Sequence, residues 1–273
     1  MNRQHRVFFA GCHLGTPLVE RLAPAVAAGF TAISAWPGDL LRADRAALGR
    51  VIAAHGLVLT DVECVGNWLP AHATAQGGWA DAMRPATPEK LIDLAAEAGA
   101  RTVSVVELAG HAWDPVVLVP AFARICDLAA AAGLAVVIEP VPVGAVGTFA
   151  QARELVERTG RANAGIMLDT WHFFRSGSSL DDLAACPGEL IRSVQLNDAL
   201  AAPEADLNLG MMRRLLPGEG ELDLAGFMQA LAATGTRAPV GIETFTPALD
   251  ALDITAATVR CAAALDHCLG LMR

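Results

Sequence analysis

Short β-rich runs alternate with helical patterns along this chain, and the alternation limits its possible folds more than any other feature. Eight such runs are separated by helix-forming segments. They are Arg6–Ala10, Phe30–Trp36, Leu57–Glu63, Arg101–Leu108, Leu134–Glu139, Gly165–Leu168, Ile191–Leu196 and Pro239–Thr244. Strands separated by helices pair in parallel, and eight such units in about 250 residues suit a closed barrel.

The sequence therefore predicts one α/β domain over residues 1–273, a single (β/α)8 TIM barrel. The alternative is an open doubly wound sheet, which would carry a glycine-rich phosphate turn after an early strand. No GxGxxG is present, and GEGELD near residue 220 has only two glycines. Residues 64–85 are predicted to form a long irregular loop, a plausible lid or pocket wall, and the last helix is predicted over Ala248–Leu271.

Polar side chains stand at the carboxyl ends of the last four predicted strands. Asp169 ends the run from Gly165 to Leu168, while AVVIEP, IRSVQLND and APVGIETF place Glu139, Gln195 and Glu243 in the same position. A single acid there could cap a helix or pair with an arginine. Four oxygen donors in register, on neighbouring strands at the end where barrel enzymes have their active sites, predict one metal site.

Three clustered carboxylates repel one another unless a cation is present, so a divalent ion is expected. All-oxygen ligation favours Mn²⁺ or Mg²⁺, with Co²⁺, Fe²⁺ or Zn²⁺ as other possibilities. His172 follows Asp169 by three residues and is predicted to contact substrate, although a histidine packed beside Trp171 would be structural. The remaining pocket candidates, each of which could equally be a rim or packing residue, are Trp36, Glu63, Trp68, Glu107, His111 and Arg214.

Composition and missing motifs exclude several functional classes. The net charge of −9 and the scattered arginines leave no basic face for nucleic acid. Uncharged runs are too short for a membrane span, and the apolar run near the start is too short for a signal peptide, so we expect a cytoplasmic protein. The six cysteines form no CxxC pair. The only lysine, Lys90, lies in the first turn of a predicted helix, which argues against Schiff-base chemistry.

Five motifs together resemble a known family. They are VVIEP with Glu139, LDTWH with Asp169 and His172, VQLND with Gln195, RLLPGEG with Arg214, and GIETF with Glu243. In this order they resemble the xylose-isomerase-like TIM-barrel superfamily, in its sugar phosphate isomerase/epimerase branch. That branch includes ketose 3-epimerases, inosose enzymes and 3-dehydroshikimate dehydratases.

The resemblance implies one Mn²⁺-like ion held by Glu139, Asp169, Gln195 and Glu243. It also implies that the two glutamates act as catalytic acid and base, and that His172 and Arg214 bind substrate. Most members carry histidine where this chain has Gln195, and the glutamine resembles some dehydratase members.

The expected function is therefore a metal-dependent isomerase or epimerase of a sugar or sugar-like keto-polyol. A carboxylate would remove a proton next to the ketone to form an enediolate. The alternatives are a dehydratase of the 3-dehydroshikimate or inosose type and, in another class, a non-catalytic barrel that binds a polyol or a protein partner. The expected partner is a small-molecule substrate, and association into a homo-oligomer is possible.

Overall fold

Eight parallel strands close into a barrel in chain order, with the last strand paired to the first. The computed structural model describes residues 5–272. The strands are β1 Arg6–Phe8, β2 Ala32–Ala35, β3 Val58–Val65, β4 Thr102–Val105, β5 Ala135–Ile138, β6 Ala164–Asp169, β7 Ile191–Leu196 and β8 Val240–Ile242. Phe8 lies opposite Ile33 on one side and Ile242 on the other, which closes the barrel. The predicted (β/α)8 architecture is confirmed.

Amphipathic helices surround the barrel and follow the strands. The larger connecting helices are Leu18–Ala27, Arg45–Ala54, Pro88–Ala98, Pro115–Ala131, Phe149–Thr159, Leu224–Ala233 and Ile254–Gly270, and Leu180–Ala184 is a shorter one. The start of Phe149–Thr159 shows how the sequence begins a helix. Thr148 Oγ1 accepts from the backbone N–H of Gln151, and Gln151 Oε1 accepts from the backbone N–H of Thr148. Within residues 5–272, no helix is both long enough and apolar enough to cross a membrane.

The structure corrects two local predictions. The predicted irregular connection, residues 64–85, contains a 3-10 turn at Pro70–Ala73 and a short helix at Gly78–Met83. The predicted helix Ala248–Leu271 is two helices, Pro247–Asp250 and Ile254–Gly270. The break follows from Asp253, whose carboxylate accepts from the N–H of Ala256 and so starts a new helix.

The barrel interior has an apolar lower part and a polar upper part. Val7, Phe9, Ala32, Val137 and Met167 pack together inside the barrel. Because side chains alternate along a strand, the residues two positions after Val137 and Met167 also face inward, and these are Glu139 and Asp169. A separate, larger cluster fills the space between the strands and the helices. The interior thus changes from apolar to acidic toward the carboxyl ends of the strands.

Candidate active site

A cavity of about 310 Å³ opens above the carboxyl ends of the strands, and the predicted glutamates line it. Glu139 follows β5 and Glu243 follows β8, with 8% and 3% of their surface exposed. Asp169 and Gln195, on the adjacent strands β6 and β7, lie opposite each other in register and are buried. The structure therefore brings all four predicted ligand residues to one end of the barrel.

Asp169 is held by three hydrogen bonds from its surroundings. Its Oδ1 accepts from the backbone N–H of His172 at 2.9 Å and so caps the short helix Thr170–Arg175. Its Oδ2 accepts from Arg214 Nη1 at 2.5 Å and from Asn197 Nδ2 at 2.7 Å. Asn197 Nδ2 also donates to the carbonyl of Glu243 at 3.0 Å, so this amide links the ends of three strands. The sequence interpretation did not single out Asn197.

His172 is neutral in this setting. Burial, reinforced by the charge of Arg214 and opposed by that of Asp169, lowers the pKa of His172 to about 3. Its Nε2 lies 3.1 Å from Arg214 Nη2, which can only donate, so the ring proton resides on Nδ1. Nε2 also lies 3.4 Å from Glu139 Oε1. His172 thus stands between the guanidinium and the first glutamate.

Glu139 and Glu243 favour their protonated forms. Burial raises the pKa of Glu139 well above its usual range, and the nearby charges of Glu243 and Asp169 add to this. Burial likewise raises the pKa of Glu243, with a further contribution from Glu63. Arg214 opposes both effects without cancelling them. A positive charge added to this cluster would therefore displace protons.

The oxygen atoms of the cluster fit a divalent cation. Gln195 Oε1 and Glu243 Oε1 are buried and accept no hydrogen bond from any described residue. Glu139, Asp169 and His172 each offer a ligand atom within 4.8 Å of the others. Oxygen-rich donor sets of this kind suit hard or borderline divalent ions. Glu139, Asp169, Gln195 and Glu243 form such a set, with His172 Nε2 close to its edge.

Of the adjacent Arg213 and Arg214, Arg214 is the one that lines the cavity. It is buried, whereas Arg213 is exposed, and its guanidinium carbon lies 5.1 Å from the ring centre of Phe245 and 5.5 Å from that of Trp171. Trp36 also lines the cavity and packs 5.7 Å from Phe245. The remaining wall is largely apolar, with Trp79, Met83, Val141 and Met211. The cavity therefore combines a charged floor with an apolar wall.

Glu107 and His111 are not among the residues that line this cavity, and their role as substrate contacts stays a prediction. Glu107 Oε1 accepts from His72 Nε2 at 3.1 Å, from His111 Nδ1 at 2.8 Å and from the N–H of Ala109, and Oε2 accepts from the N–H of Ala145. Against the effect of burial, these bonds lower the pKa of Glu107 to about 2. One carboxylate thereby ties together the loops after β3, β4 and β5.

The His72–Glu107–His111 cluster is better explained by hydrogen bonds than by a metal. His72 Nδ1 accepts from the backbone N–H groups of Trp68 and Leu69, so the ring proton lies on Nε2, toward Glu107. A metal on Nε2 would require the opposite tautomer and would break both backbone bonds. Trp68 itself is buried and donates to the carbonyl of Val106, so it serves packing.

Asp198 organises the PGEG loop, a role that the sequence interpretation missed. Its Oδ1 accepts from the N–H groups of Ala199 at 2.8 Å and Leu222 at 3.1 Å, and its Oδ2 from those of Gly218 and Gly220 at 3.0 Å each. A Cβ at Gly220 would lie 2.4 Å from Asp198 Oδ1, so only glycine allows this approach. The available signal was the polar pair in VQLND after a buried strand.

Comparison with known proteins gives consistent results. A sequence model described as xylose isomerase-like TIM barrel matches residues 22–265. The chain is 30% identical over 237 residues to the 3-dehydroshikimate dehydratase of Pseudomonas aeruginosa, an alignment that covers 85% of this chain and 37% of that protein. It is 33% identical over 129 residues to the inosose isomerase of Bacillus licheniformis, covering 45% of each.

A solved structure agrees with the fold. The IOLI protein with a bound zinc atom superposes with a TM-score of 0.84 at 20% identity, covering 97% of this chain and 98% of that one. The chain spans less than half the length of the two curated relatives named above.

Proposed function

The chain belongs to the xylose isomerase-like TIM-barrel family, and on that premise we propose that it is a divalent-metal-dependent enzyme that moves a proton to and from carbon in a small sugar-like ketone. The relatives matched in sequence are enzymes, an isomerase and a dehydratase. The observation that carries the proposal is the set of four oxygen donors at the ends of β5 to β8, two of which have a buried oxygen that accepts no hydrogen bond from the described residues.

Glu139, Asp169, Gln195 and Glu243 would hold the ion, and Mn²⁺ or Mg²⁺ suits their oxygen atoms best. A bound divalent ion supplies positive charge that stabilises the oxyanion developing on the substrate during deprotonation. The zinc atom in the IOLI protein supports a divalent ion in a barrel of this shape.

Glu139 and Glu243 are the proposed catalytic acid and base. They stand on β5 and β8, on either side of the strands that carry Asp169 and Gln195, and both line the cavity. Burial raises the pKa of each, which suits groups that must both accept and return a proton. One glutamate would remove the proton next to the ketone, and the other would return a proton to the enediolate.

His172 and Arg214 are the proposed substrate contacts. Arg214 is fixed by Asp169 and by the carbonyl of Met211, which leaves its remaining edge toward His172 and the cavity. Neutral His172 has a buried Nδ1 proton without an acceptor among residues 5–272, so it can donate to a substrate oxygen. Trp36 and Phe245 would shield the reacting carbon from water.

Return of the proton to carbon makes the enzyme an isomerase or epimerase, which is the reaction that two flanking glutamates support best. Dehydration is the second candidate. In that reaction the enediolate expels a neighbouring hydroxyl, which leaves as water after it gains a proton. One observation favours it: the dehydratase relative aligns with 85% of this chain. The glutamine at position 195 also resembles that of some dehydratase members.

The proposal is tested by incubating the Mn²⁺-loaded protein in D₂O with ketohexoses, inososes and 3-dehydroshikimate. Deuterium incorporated at carbon, detected by mass spectrometry and NMR, is the expected result. Recovery of an epimer or isomer identifies the first reaction, and an unsaturated product identifies the second. An epimer or isomer recovered without deuterium at carbon would refute proton exchange in the first reaction, whereas the second loses its proton to solvent and is judged by the unsaturated product alone.

The non-catalytic alternative has a separate test, namely the metal content of the purified protein. If no divalent ion is retained after Mn²⁺ addition, and Glu243→Gln leaves ligand binding intact, the enzyme proposal fails.

A further inference from the structure

Two polar pairs cross the barrel between strands that face each other. In an eight-stranded barrel β3 and β7 lie opposite, four strands apart in either direction. Ser193 Oγ donates to Asp61 Oδ2 at 3.3 Å, and two residues further along both strands Gln195 Nε2 donates to Glu63 Oε2 at 2.8 Å. All four side chains are buried. The pairs therefore form two successive polar layers, and Glu63 of the upper layer lines the cavity.

The upper pair fixes the direction of the Gln195 amide. An amide has a donor end and an acceptor end, and the Glu63 oxygen takes the donor end. The other end, Oε1, is buried and accepts no bond from the described part of the chain. If the amide were reversed, Oε1 would face a carboxylate oxygen and Nε2 would face the acidic cluster. The bond to Glu63 thus leaves the acceptor oxygen free.

Glu63 lines the cavity beside Glu243. Within residues 5–272 it forms no ion pair with a basic side chain. A buried carboxyl without a cationic partner is costly to the fold. Its Oε2 accepts from Gln195 Nε2, and its carboxyl also lies within hydrogen-bonding distance of Ser34 and Glu243.

We infer that Glu63 is a positioning residue that orients Gln195 so that its Oε1 serves as the neutral oxygen ligand of the metal site. This inference rests on the proposed function, because it concerns the ion that the four oxygen donors would hold. It extends the site to β3, in the half of the barrel that contributes none of the predicted ligands. Outer residues that orient a ligand commonly change metal affinity by ~10–100-fold when they are substituted.

The test is a titration of metal-free protein with Mn²⁺, followed by calorimetry and by the EPR signal of free Mn²⁺. In Glu63→Leu the Gln195 amide loses its acceptor on β3, so nothing holds its Oε1 toward the ion. The dissociation constant should therefore rise ~10–100-fold. Circular dichroism and thermal unfolding establish that each variant is folded.

Two further variants separate orientation from charge. Asp61→Asn removes a carboxylate from the lower pair, Ser193 and Asp61, and leaves the bond from Gln195 to Glu63 intact. It should therefore change the dissociation constant less than about threefold. The reciprocal variant Glu63→Gln with Gln195→Glu restores a donor on β3 and an acceptor on β7. It should recover Mn²⁺ affinity to within about tenfold of the wild type.

The outcomes distinguish this inference from the proposed function. Absence of Mn²⁺ binding by the wild type would refute the proposed function and, with it, the role of Glu63. Wild-type binding with unchanged affinity in Glu63→Leu would overturn the positioning role alone. Equal losses in Asp61→Asn and Glu63→Leu would assign the effect to charge and would also overturn it. If Glu63→Leu does not fold, failure of the folded reciprocal variant to bind Mn²⁺ would count against the inference in the same way.

Discussion

Replacing Asp198 with asparagine should destabilise the protein through the PGEG loop. The carboxylate accepts four backbone N–H bonds, two on each oxygen. Asparagine keeps one oxygen and presents an NH₂ group to the other two N–H donors, which then lose their acceptor. Each hydrogen bond to a charged group contributes roughly 1.5–3 kcal/mol, so the two lost bonds predict a decrease of about 3–6 kcal/mol in the free energy of unfolding.

Thermal unfolding and urea titration at pH 7 would measure this loss, which corresponds to a decrease of about 6–12 °C in Tm for a chain of this size. Asp206→Asn is the matched control, because Asp206 is exposed and accepts from the N–H of Asn208 at a helix N-terminus, where asparagine is an equally good cap. The control should change stability by less than about 0.5 kcal/mol. If Asp198→Asn unfolds at the same temperature as Asp206→Asn, the carboxylate does not hold the loop.

Three further predictions concern the candidate site. Glu243→Gln should slow deuterium incorporation into substrate by ~10²–10⁴-fold, since an amide cannot exchange the proton, and an isotope-exchange rate close to that of the wild type would contradict its role. Arg214→Lys should lower kcat/KM by ~10–100-fold, because lysine cannot bond Asp169 and His172 together, and steady-state kinetics that show no loss would exclude this contact. Metal-free protein should lose stability as the pH rises from 6.5 to 8, because burial raises the pKa of Glu63 to about 8 and that of Asp61 to about 7, while the unfolded chain is already ionised. The free energy of unfolding should fall by about 1.4 kcal/mol per pH unit for each proton that the folded state retains and the unfolded chain has lost. Urea titrations that show no change of this free energy with pH in the metal-free wild type would refute the prediction.

The fold could be predicted because β-rich runs and helical patterns alternate regularly along the chain. Each of the eight predicted strands overlaps an observed one. β1, β2, β4, β5 and β8 are shorter than expected, and β3 and β6 are longer. Predictions failed where short-range chemistry interrupts a helical pattern. The residue before Asp253 is compatible with a helix, so the sequence pattern shows no interruption there. The break in the last helix is visible only in the structure, where the Asp253 carboxylate accepts from the N–H of Ala256.

The candidate site was predicted less completely, because a strand-end acid can serve several purposes. Glu107 and Glu139 both follow β-rich runs, but backbone N–H groups and two histidines occupy the oxygens of Glu107, whereas Glu139 lines the cavity. Two of those partners, His72 and Ala145, come from distant loops that no local pattern places. The choice between Arg213 and Arg214 was likewise open. Arg214 is buried beside Phe245 and Trp171 and lines the cavity, which favours it as the proposed substrate contact.

The bonds across the barrel have a consequence for dividing this protein into fragments. All four proposed ligands come from β5 to β8, so a fragment of the second half would contain every residue expected to touch the ion. Gln195 and Ser193, however, find their partners on β3, in the first half. A half-barrel expressed alone would carry the ligand set without the partner that directs one of its members. Mn²⁺ affinity on mixing the two halves would therefore report their correct reassembly.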